Sequence, residues 1–549
     1  MQRIVLRTTA AAAALAVAGG ALAACSSEPE TSPEGVITIF APQWPEQDLN
    51  DSAFTKILED KFDVDLQFET TVYDAAAAAE KRQISLASGD YPDAYMLVPW
   101  NDQFSREELL KLGDQGVIVP LDDLIAEHAP NITAAFDKVP EYAQLAAGSD
   151  GTIWGLPQWN DCFHCSYTSK LWINTAWLDA VGMDQPTTPE ELREVLRAFK
   201  TQDPNGNGEA DEIPLSGSTG YSILPYLMDP FIYMPTSDPT GAQPASLALD
   251  GDQVTLQARQ DGWREGLAYV RSLWEEGLID DASFTQNPDA LRTKGENPDA
   301  TIIGASVIQN PANFISIGLE DERNADYDPV APLTGPNGSP ASWVSGSIPG
   351  ATFVITNKAS EAKQTQLIEI LDYIYTYEGH LLGEFGTEGV NWAAPEEGDV
   401  PLDESVDPLF KILPGDPDNE EGQNTSWGAM TQYFSDAEFR GGQVVGTDIY
   451  SLDGVERRLF EATELYAANK PAEAFPYWNV WVTGDAADEL ATIQTNVESA
   501  VAQASAEFVS GARDISDDAA WDAFQAELDT YGADRYVEIY QAAWDDTDH

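Results

Sequence analysis

Residues 203–214 form a loop after a predicted helix, with oxygen-bearing side chains at alternate positions. In an EF-hand loop, positions 1, 3 and 5 hold a hard cation and a glycine at position 6 allows a sharp turn. Here position 6 is Gly208, but position 12 is Pro214 instead of Glu, so two later carboxylates would have to close the site. The predicted calcium ligands are Asp203, Asn205, Asn207, Glu209 (through its carbonyl), Asp211 and Glu212. A polar Asn/Gly turn explains the same residues, and spacing alone leaves both interpretations open.

A second chemical unit is the sequence Cys-Phe-His-Cys, which places Cys162 and Cys165 three residues apart around His164. A close disulfide is expected in an oxidising compartment. Free thiols are an alternative, and so is redox or metal chemistry. A single CxxC is weak evidence for zinc, and no thioredoxin-like context surrounds it.

The N-terminus predicts secretion followed by lipid anchoring. Arg3 and Arg7 precede a short apolar run, and small residues lead directly into Cys25. This is typical of a signal peptide over residues 1–24, and Leu-Ala-Ala-Cys resembles the lipobox of bacterial lipoproteins. In that family the cysteine becomes the acylated N-terminus, with palmitate-like chains that anchor it to the membrane. An ordinary signal peptide that happens to meet a cysteine is the alternative. Residues 25–35 then form a flexible tether.

Composition limits the classes of partner. The chain has 549 residues and a formal charge of −65, which repels nucleic acid and anionic membrane surfaces. Its length predicts two or three lobes rather than one core. The four histidines are too scattered for a catalytic triad or a His-rich metal site. Solubility outside the cell explains the acidity, although a cationic ligand is a second interpretation.

The elements that position these residues begin with a β-α-β-α-β pattern. Strands are predicted at 36–40, 64–68 and 94–98, with helices at 52–62 and 74–88 between them. This order indicates a parallel α/β sheet, whose ligands meet the loops that leave the C-terminal ends of the strands.

Two further helical regions are marked by their periodicity. Thr188 and Pro189 begin a helix whose apolar residues at 192, 195, 196 and 199 form one buried stripe. The tail from 486 to 545 repeats helical spacing.

Residues 171–215 resemble the equivalent segment of extracellular solute-binding proteins of ABC importers. The likeness is to the large oligosaccharide- and alginate-binding lipoprotein group. Trp154 replaces the usual Tyr in the Gly-x-Ile-Tyr-Gly-Leu-Pro strand of that group. The other segments that resemble the group are 85–97, 151–157, 371–392 and 521–540.

The resemblance implies an α/β, two-lobed periplasmic-binding-protein-like fold over 36–549, with lobes discontinuous in sequence, a hinge and an interlobe ligand cleft. It implies a structural Ca²⁺ in the loop at 203–212. It also implies a monomer on the extracellular face of the bacterial cell membrane, attached only by its lipid, which delivers an oligosaccharide to ABC permease subunits. The cysteine pair and the strong acidity depart from the family pattern.

Aromatic side chains in turn-like sequence are the predicted sugar contacts, because flat rings bind the apolar faces of sugars while polar neighbours fix the hydroxyls. For any one of them, packing under its own loop is an equal alternative. The six are Trp44, Trp100, Trp159, Trp343, Trp392 and Trp427.

Two rival functions stay open at this point. In the first, the same fold holds a peptide or a cationic solute in place of a sugar. A lipid-anchored glycosidase would need two carboxylates that flank a cleft, and no motif marks such a pair. The resemblance favours a binding protein that is not an enzyme.

Overall fold

The computed structural model describes residues 35–236, 245–317, 322–345, 349–415 and 419–547. The predicted signal peptide, Cys25 and all of the tether except Gly35 lie outside these residues. In the described ranges no helix has the length and apolar character needed to cross a membrane. The strands are β1 Val36–Gln43, β2 Asp65–Val72, β3 Ala94–Met96, β4 Trp159–Asn160, β5 Leu171–Asn174, β6 Leu247–Asp250, β7 Gln253–Leu256, β8 Ala305–Val307, β9 Tyr327–Val330, β10 Phe353–Ile355, β11 Trp392–Ala393, β12 Phe410–Ile412, β13 Phe434–Ser435 and β14 Gln443–Val444.

The helices of the same ranges follow the pattern expected from periodicity and capping residues. They are α1 Ala53–Phe62, α2 Ala75–Ser88, α3 Arg106–Asp114, α4 Asp122–His128, α5 Pro130–Lys138, α6 Pro140–Ala146, α7 Thr175–Val181, α8 Pro189–Thr201, α9 Leu224–Met228, α10 Asp261–Glu275, α11 Pro288–Gly295, α12 Glu361–Ile374, α13 Tyr377–Glu384, α14 Ala437–Gly441, α15 Val455–Ala467, α16 Asp485–Ser510, α17 Asp518–Thr530 and α18 Ala533–Asp545.

The first sheet has the order β10-β3-β1-β2. β1 runs parallel to both β2 and β3, and β10 is antiparallel to β3. The predicted β-α-β-α-β unit is therefore confirmed. Asp74 caps α2 by accepting from the Ala77 N–H, and Gly89 ends it at φ 76°, a conformation that favours glycine. The predicted second strand ended too early, because pairing with β1 continues to Val72.

The second sheet centres on β5, which is antiparallel to β8 on one side and β9 on the other. α8 begins at a Thr188 cap and buries the predicted stripe against this lobe. The carboxylate of Glu191 accepts from the Thr187 N–H at 2.8 Å, which ties the entry turn to the helix.

Two separate apolar cores define two lobes. The first draws on residues between 37 and 156 and again between 353 and 433. The second draws on residues between 167 and 343 and again between 466 and 540, including the C-terminal helices, where Trp263 stacks on Phe524 at 5.5 Å. The two-lobed α/β fold is thus confirmed, with each core assembled from distant parts of the chain.

Candidate ligand-binding site and calcium loop

Three neighbouring strands of the first sheet end in loops that carry aromatic residues. Trp44 follows β1, Tyr73 follows β2, and Trp100 comes shortly after β3. The carboxyl ends of parallel strands meet at one edge of a sheet, so these rings gather there. Trp44 stacks on Tyr73 with ring centres 3.8 Å apart. Burial raises the pKa of Tyr73 to about 12, and the Trp100 side chain lies close enough to the Tyr73 hydroxyl to lower its pKa in part.

A cavity of about 780 Å³ lies where the two lobes face each other. The first lobe contributes Trp100 and its neighbours up to residue 107, together with Pro349. The second lobe contributes the start of α16 and the segment before it. The lining residues that matter most below are Trp100, Asn101, Gln103, Arg106, Tyr477 and Tyr540. This volume and position suit a solute held between lobes.

Arg106 joins the lobes across one wall of this cavity. Its guanidinium donates to the carbonyl oxygens of Trp478 and, at 3.3 Å, of Val480. Its charged carbon also lies 3.9 Å from the centre of the Trp481 ring, a cation–π contact. Burial lowers the pKa of Arg106 to about 10, so the side chain stays charged at neutral pH.

Two residues of the cavity lining carry a buried acceptor oxygen without a partner among the described residues. The oxygens are Oδ1 of Asn101 and Oε1 of Gln103. The amide nitrogen of Gln103 donates a hydrogen bond to the Pro349 carbonyl at 2.9 Å, which fixes the orientation of the side chain. Unpaired buried oxygens cost stability unless a ligand or water donates to them. Sequence reasoning missed these residues, although their place directly after β3 was a usable signal.

The acidic residues of the cavity do not form a glycosidase pair. Asp102 forms a bidentate ion pair with Arg82, with distances of 2.7 and 3.0 Å, and both side chains are nearly buried. Glu107 is the other carboxylate of the lining, and it is exposed.

The structure buries three of the six predicted tryptophan contacts, and their contact with ligand stays a prediction. Trp427 is 2% exposed, packs edge-on against Phe54 and donates to the Thr55 hydroxyl at 2.8 Å. Trp392 is buried, and its indole donates to the Gly386 carbonyl. These rings belong to cores because their loops fold inward and each indole N–H has a protein acceptor.

The third of these residues is Trp343, which is 9% exposed and packed between other side chains. Trp478 meets it edge-on at 5.1 Å, and the Lys470 ammonium lies 3.7 Å from its ring centre. Trp159 is only half-buried and donates to Asp161, so its contact with ligand stays a prediction. Trp44 and Trp100 are the two exposed tryptophans of the described residues.

The predicted calcium loop brings its polar side chains together. The amides of Asn205 and Asn207 both donate to the Asp211 carboxylate, at 3.1 Å in each case. Asp203 accepts from the Gly208 N–H at 3.1 Å, and it adopts a left-handed φ of 47°. Rotation of the two amides would turn their oxygens toward the same point. The loop is also tied to the second lobe, since Asn205 donates to the Thr301 carbonyl.

Glu212 provides the test of whether a cation fits this loop. Its Oε1 is buried and has no partner among the described residues. Burial raises the pKa of Glu212, and the negative charges of Asp211 and Asp203 raise it further. A divalent cation would relieve both effects, so the donor set fits calcium. Glu209 donates its N–H to Asn207 at 2.7 Å, while the predicted role of its carbonyl stays a prediction.

Cys162 and Cys165 are joined in a disulfide, with Cα atoms 5.3 Å apart. This turn lies on the first crossing between lobes, where Phe163 meets Phe460 of α15 edge-on. The ligand atoms of the two cysteines and His164 are close enough for a metal, but a disulfide leaves no thiolates to bind one. Burial lowers the pKa of His164 to about 3, so its ring is neutral.

Two lobes, a cavity between them and aromatic loops at the strand ends define a solute-binding protein. The sequence pattern of the bacterial extracellular solute-binding protein family matches residues 45–380, and the chain belongs to that family. Membership confirms the predicted family and the prediction that the chain is a binding protein and not an enzyme.

Several known proteins are similar to this chain over two thirds of its length or more. The fructooligosaccharide ABC transporter substrate-binding protein FusA of Streptococcus pneumoniae is 28% identical over 95% of both chains. Its structure with kestose superposes with a TM-score of 0.69 at 26% identity, over 93% of this chain and 99% of that one. An HMO-binding solute-binding protein from Bifidobacterium longum infantis has a TM-score of 0.74 at 20% identity over 93% and 98%, a likeness of fold alone. Lipoprotein LipO of Bacillus subtilis is 28% identical over 69% and 72%.

Proposed function

We propose that this protein captures a neutral oligosaccharide in the interlobe cavity and delivers it to the permease of an ABC importer. The observation that carries the proposal is the cavity itself, with an exposed indole and two lining residues whose buried oxygens have no partner among the described residues. FusA, a substrate-binding protein of an ABC transporter that takes fructooligosaccharides, supports the same ligand class.

Each part of the wall has a role in sugar binding. Trp100 offers a flat face to the C–H surface of a sugar ring, as aromatic residues in such pockets do. Asn101 and Gln103 accept hydrogen bonds from hydroxyl groups, which removes the cost of their unpaired oxygens. Arg106 holds the second lobe against the first, so that closure brings Tyr477 and Tyr540 over the ligand.

Calcium is proposed as a structural ion in the loop at 203–212. Asp203, Asn205, Asn207, Asp211 and Glu212 would hold it with side-chain oxygens, and Glu209 with its carbonyl. The loop contributes no residue to the cavity lining, so the ion would stabilise the second lobe and take no part in binding sugar. A FusA EF-hand variant has been crystallised with fructo-nystose, which supports an EF-hand in that relative.

Anchoring is proposed through Cys25, after removal of residues 1–24. Acyl chains on that cysteine would hold a monomer at the outer face of the cell membrane, and residues 25–35 would let it reach the permease. The likeness to lipoprotein LipO supports this proposal. Residues 36–549 would then form the two-lobed binding unit.

Titration calorimetry against a panel tests the proposed ligand class. The panel contains kestose and nystose, other neutral oligosaccharides, oligogalacturonates, and tripeptides with and without lysine. We expect saturable binding of a neutral oligosaccharide, with the sugar recovered intact. Trp100→Ala should weaken the binding of this oligosaccharide at least tenfold. Tyr531 is an exposed aromatic residue among the C-terminal helices, and Tyr531→Ala should leave the affinity unchanged. Binding only of peptides, or release of shorter sugars, would contradict the proposal.

A further inference from the structure

The aromatic residues at the edge of the first sheet extend beyond the cavity. Trp100 lines the cavity, whereas Trp44 and Tyr73 do not. The three side chains are nevertheless neighbours, because Tyr73 stacks against Trp44 and its hydroxyl lies beside the Trp100 side chain. We call Trp44, Tyr73 and Trp100 the aromatic rim. It runs outward from the cavity into solvent.

The two tryptophans of the rim are far more exposed than the tryptophans that pack under their own loops. Trp44 keeps 45% of its surface exposed and Trp100 keeps 41%. The other predicted contacts that pack into cores expose less than a tenth. Because Tyr73 covers one face of Trp44, the opposite face of the indole is the one that remains open. An open, flat indole face beside a sugar cavity is a stacking surface.

The loop that carries Trp44 is held in place by hydrogen bonds. Trp44 and Gln47 exchange hydrogen bonds, since the Trp44 N–H donates to Oε1 of Gln47 and the Gln47 N–H donates to the Trp44 carbonyl. The next residue, Asp48, exchanges two more with Asn424 at 3.0 and 2.9 Å. A ring presented in this way binds without a large ordering cost.

The width of the rim sets how much sugar it can cover. The strands β3, β1 and β2 are adjacent, so the loops span two interstrand spacings, or about 10 Å. One sugar ring is about as wide as one spacing. The rim therefore has room for units beyond those inside the cavity.

We infer that the aromatic rim is a chain-length subsite, in which sugar units that extend past the cavity stack on Trp44. The protein accordingly selects neutral chains of three or more units over disaccharides. This inference rests on the proposed function. It adds a preferred length for the ligand and names Trp44 as the residue that distinguishes long chains from short ones.

The test compares ligand lengths in two variants. Sucrose, kestose and nystose are the first probes, and the di-, tri- and tetrasaccharide of another series replace them if that series binds in the panel. Trp44→Ala should weaken the tetrasaccharide about tenfold and change the disaccharide less than twofold. Tyr531→Ala is the matched control for an exposed aromatic and should change neither.

A loss by the same factor at every length, or no loss at any length, would overturn the inference. Trp44→Phe separates stacking from folding, because it keeps a ring against Tyr73 and should retain most of the tetrasaccharide affinity. An equal loss in Trp44→Phe and Trp44→Ala would also overturn it. Failure of the proposed function looks different, since the wild-type protein would then bind no oligosaccharide of any length.

Discussion

Replacement of Glu212 by Gln is expected to move the stability of the protein in opposite directions with and without calcium. In the calcium-free protein, burial and the neighbouring Asp211 and Asp203 raise the pKa of Glu212. A carboxyl group with a raised pKa binds its proton more tightly in the folded state. The protonated Glu212 therefore contributes to the stability of the folded state below the unfolded pKa of about 4.3. This stabilising contribution is lost as the pH rises through the folded pKa. At neutral pH the ionised Glu212 therefore destabilises the calcium-free protein, and Glu212→Gln should raise its melting temperature.

The calcium-bound protein should respond in the reverse sense. Free calcium at a thousand times Kd stabilises the folded state by about 4 kcal/mol. At about 2–4 °C for each kcal/mol in a domain of this size, the wild-type protein should melt roughly 10 °C higher with calcium than with chelator. Loss of a charged ligand should weaken calcium at least tenfold, which removes about 1.4 kcal/mol of that stabilisation. The calcium-induced shift of Glu212→Gln should thus be smaller by about 3–6 °C.

Differential scanning calorimetry at pH 7, with chelator or with calcium chloride, measures both effects. Glu209→Gln is the matched control, because the exposed Glu209 side chain is not a proposed ligand and only its carbonyl is. It should keep the full calcium shift. The reasoning is refuted if calcium leaves the wild-type melting temperature unchanged. It is also refuted if Glu209→Gln loses as much of the shift as Glu212→Gln.

Four further outcomes are expected. Trp427→Ala should destabilise the ligand-free protein by about 3–5 kcal/mol in denaturant titrations, because it empties a core site, whereas Trp100→Ala should leave stability within about 0.5 kcal/mol. Cys162→Ser with Cys165→Ser should cost about 2 kcal/mol, measured in the same way against the oxidised wild type, since the closed loop is short. Arg106→Gln should weaken sugar binding in calorimetry by ten- to a hundredfold through loss of charge-assisted bonds to the second lobe, and an unchanged Kd would exclude this role. Cys25→Ser should release the protein from membranes in cell fractionation, and a mature form that stays bound would contradict lipid anchoring.

Local patterns in the sequence were enough to predict the elements of the first sheet. The β-branched run from Val36, the Asp74 cap and Gly89 each act within a few residues, so they fix where β1 begins and where α2 begins and ends. The predicted end of β1 at residue 40 was too early, because pairing with β2 continues to Gln43. The calcium loop is equally local, because its ligands lie within ten residues of one another. Such features need no knowledge of the tertiary fold.

The cavity depends on contacts that no local pattern encodes. Arg106 meets the Val480 carbonyl across 374 positions of the chain, and nothing near Arg106 in the sequence marks that partner. The same limit explains why sequence reasoning could not separate the buried tryptophans from the exposed ones. Trp427 stands in turn-like sequence, yet its acceptor Thr55 is 372 residues away in α1. Tyr73 was within reach of sequence reasoning, because it follows β2 as Trp44 follows β1.

Hydrogen exchange with and without the oligosaccharide identified in the panel tests the central claim most directly. A sugar held between the lobes should slow exchange in residues 99–107 of the first lobe and in residues 480–495 of the second together. These two segments form opposite walls of the cavity. Slower exchange in only one of these segments, or in neither while the sugar is bound, would contradict binding between the lobes.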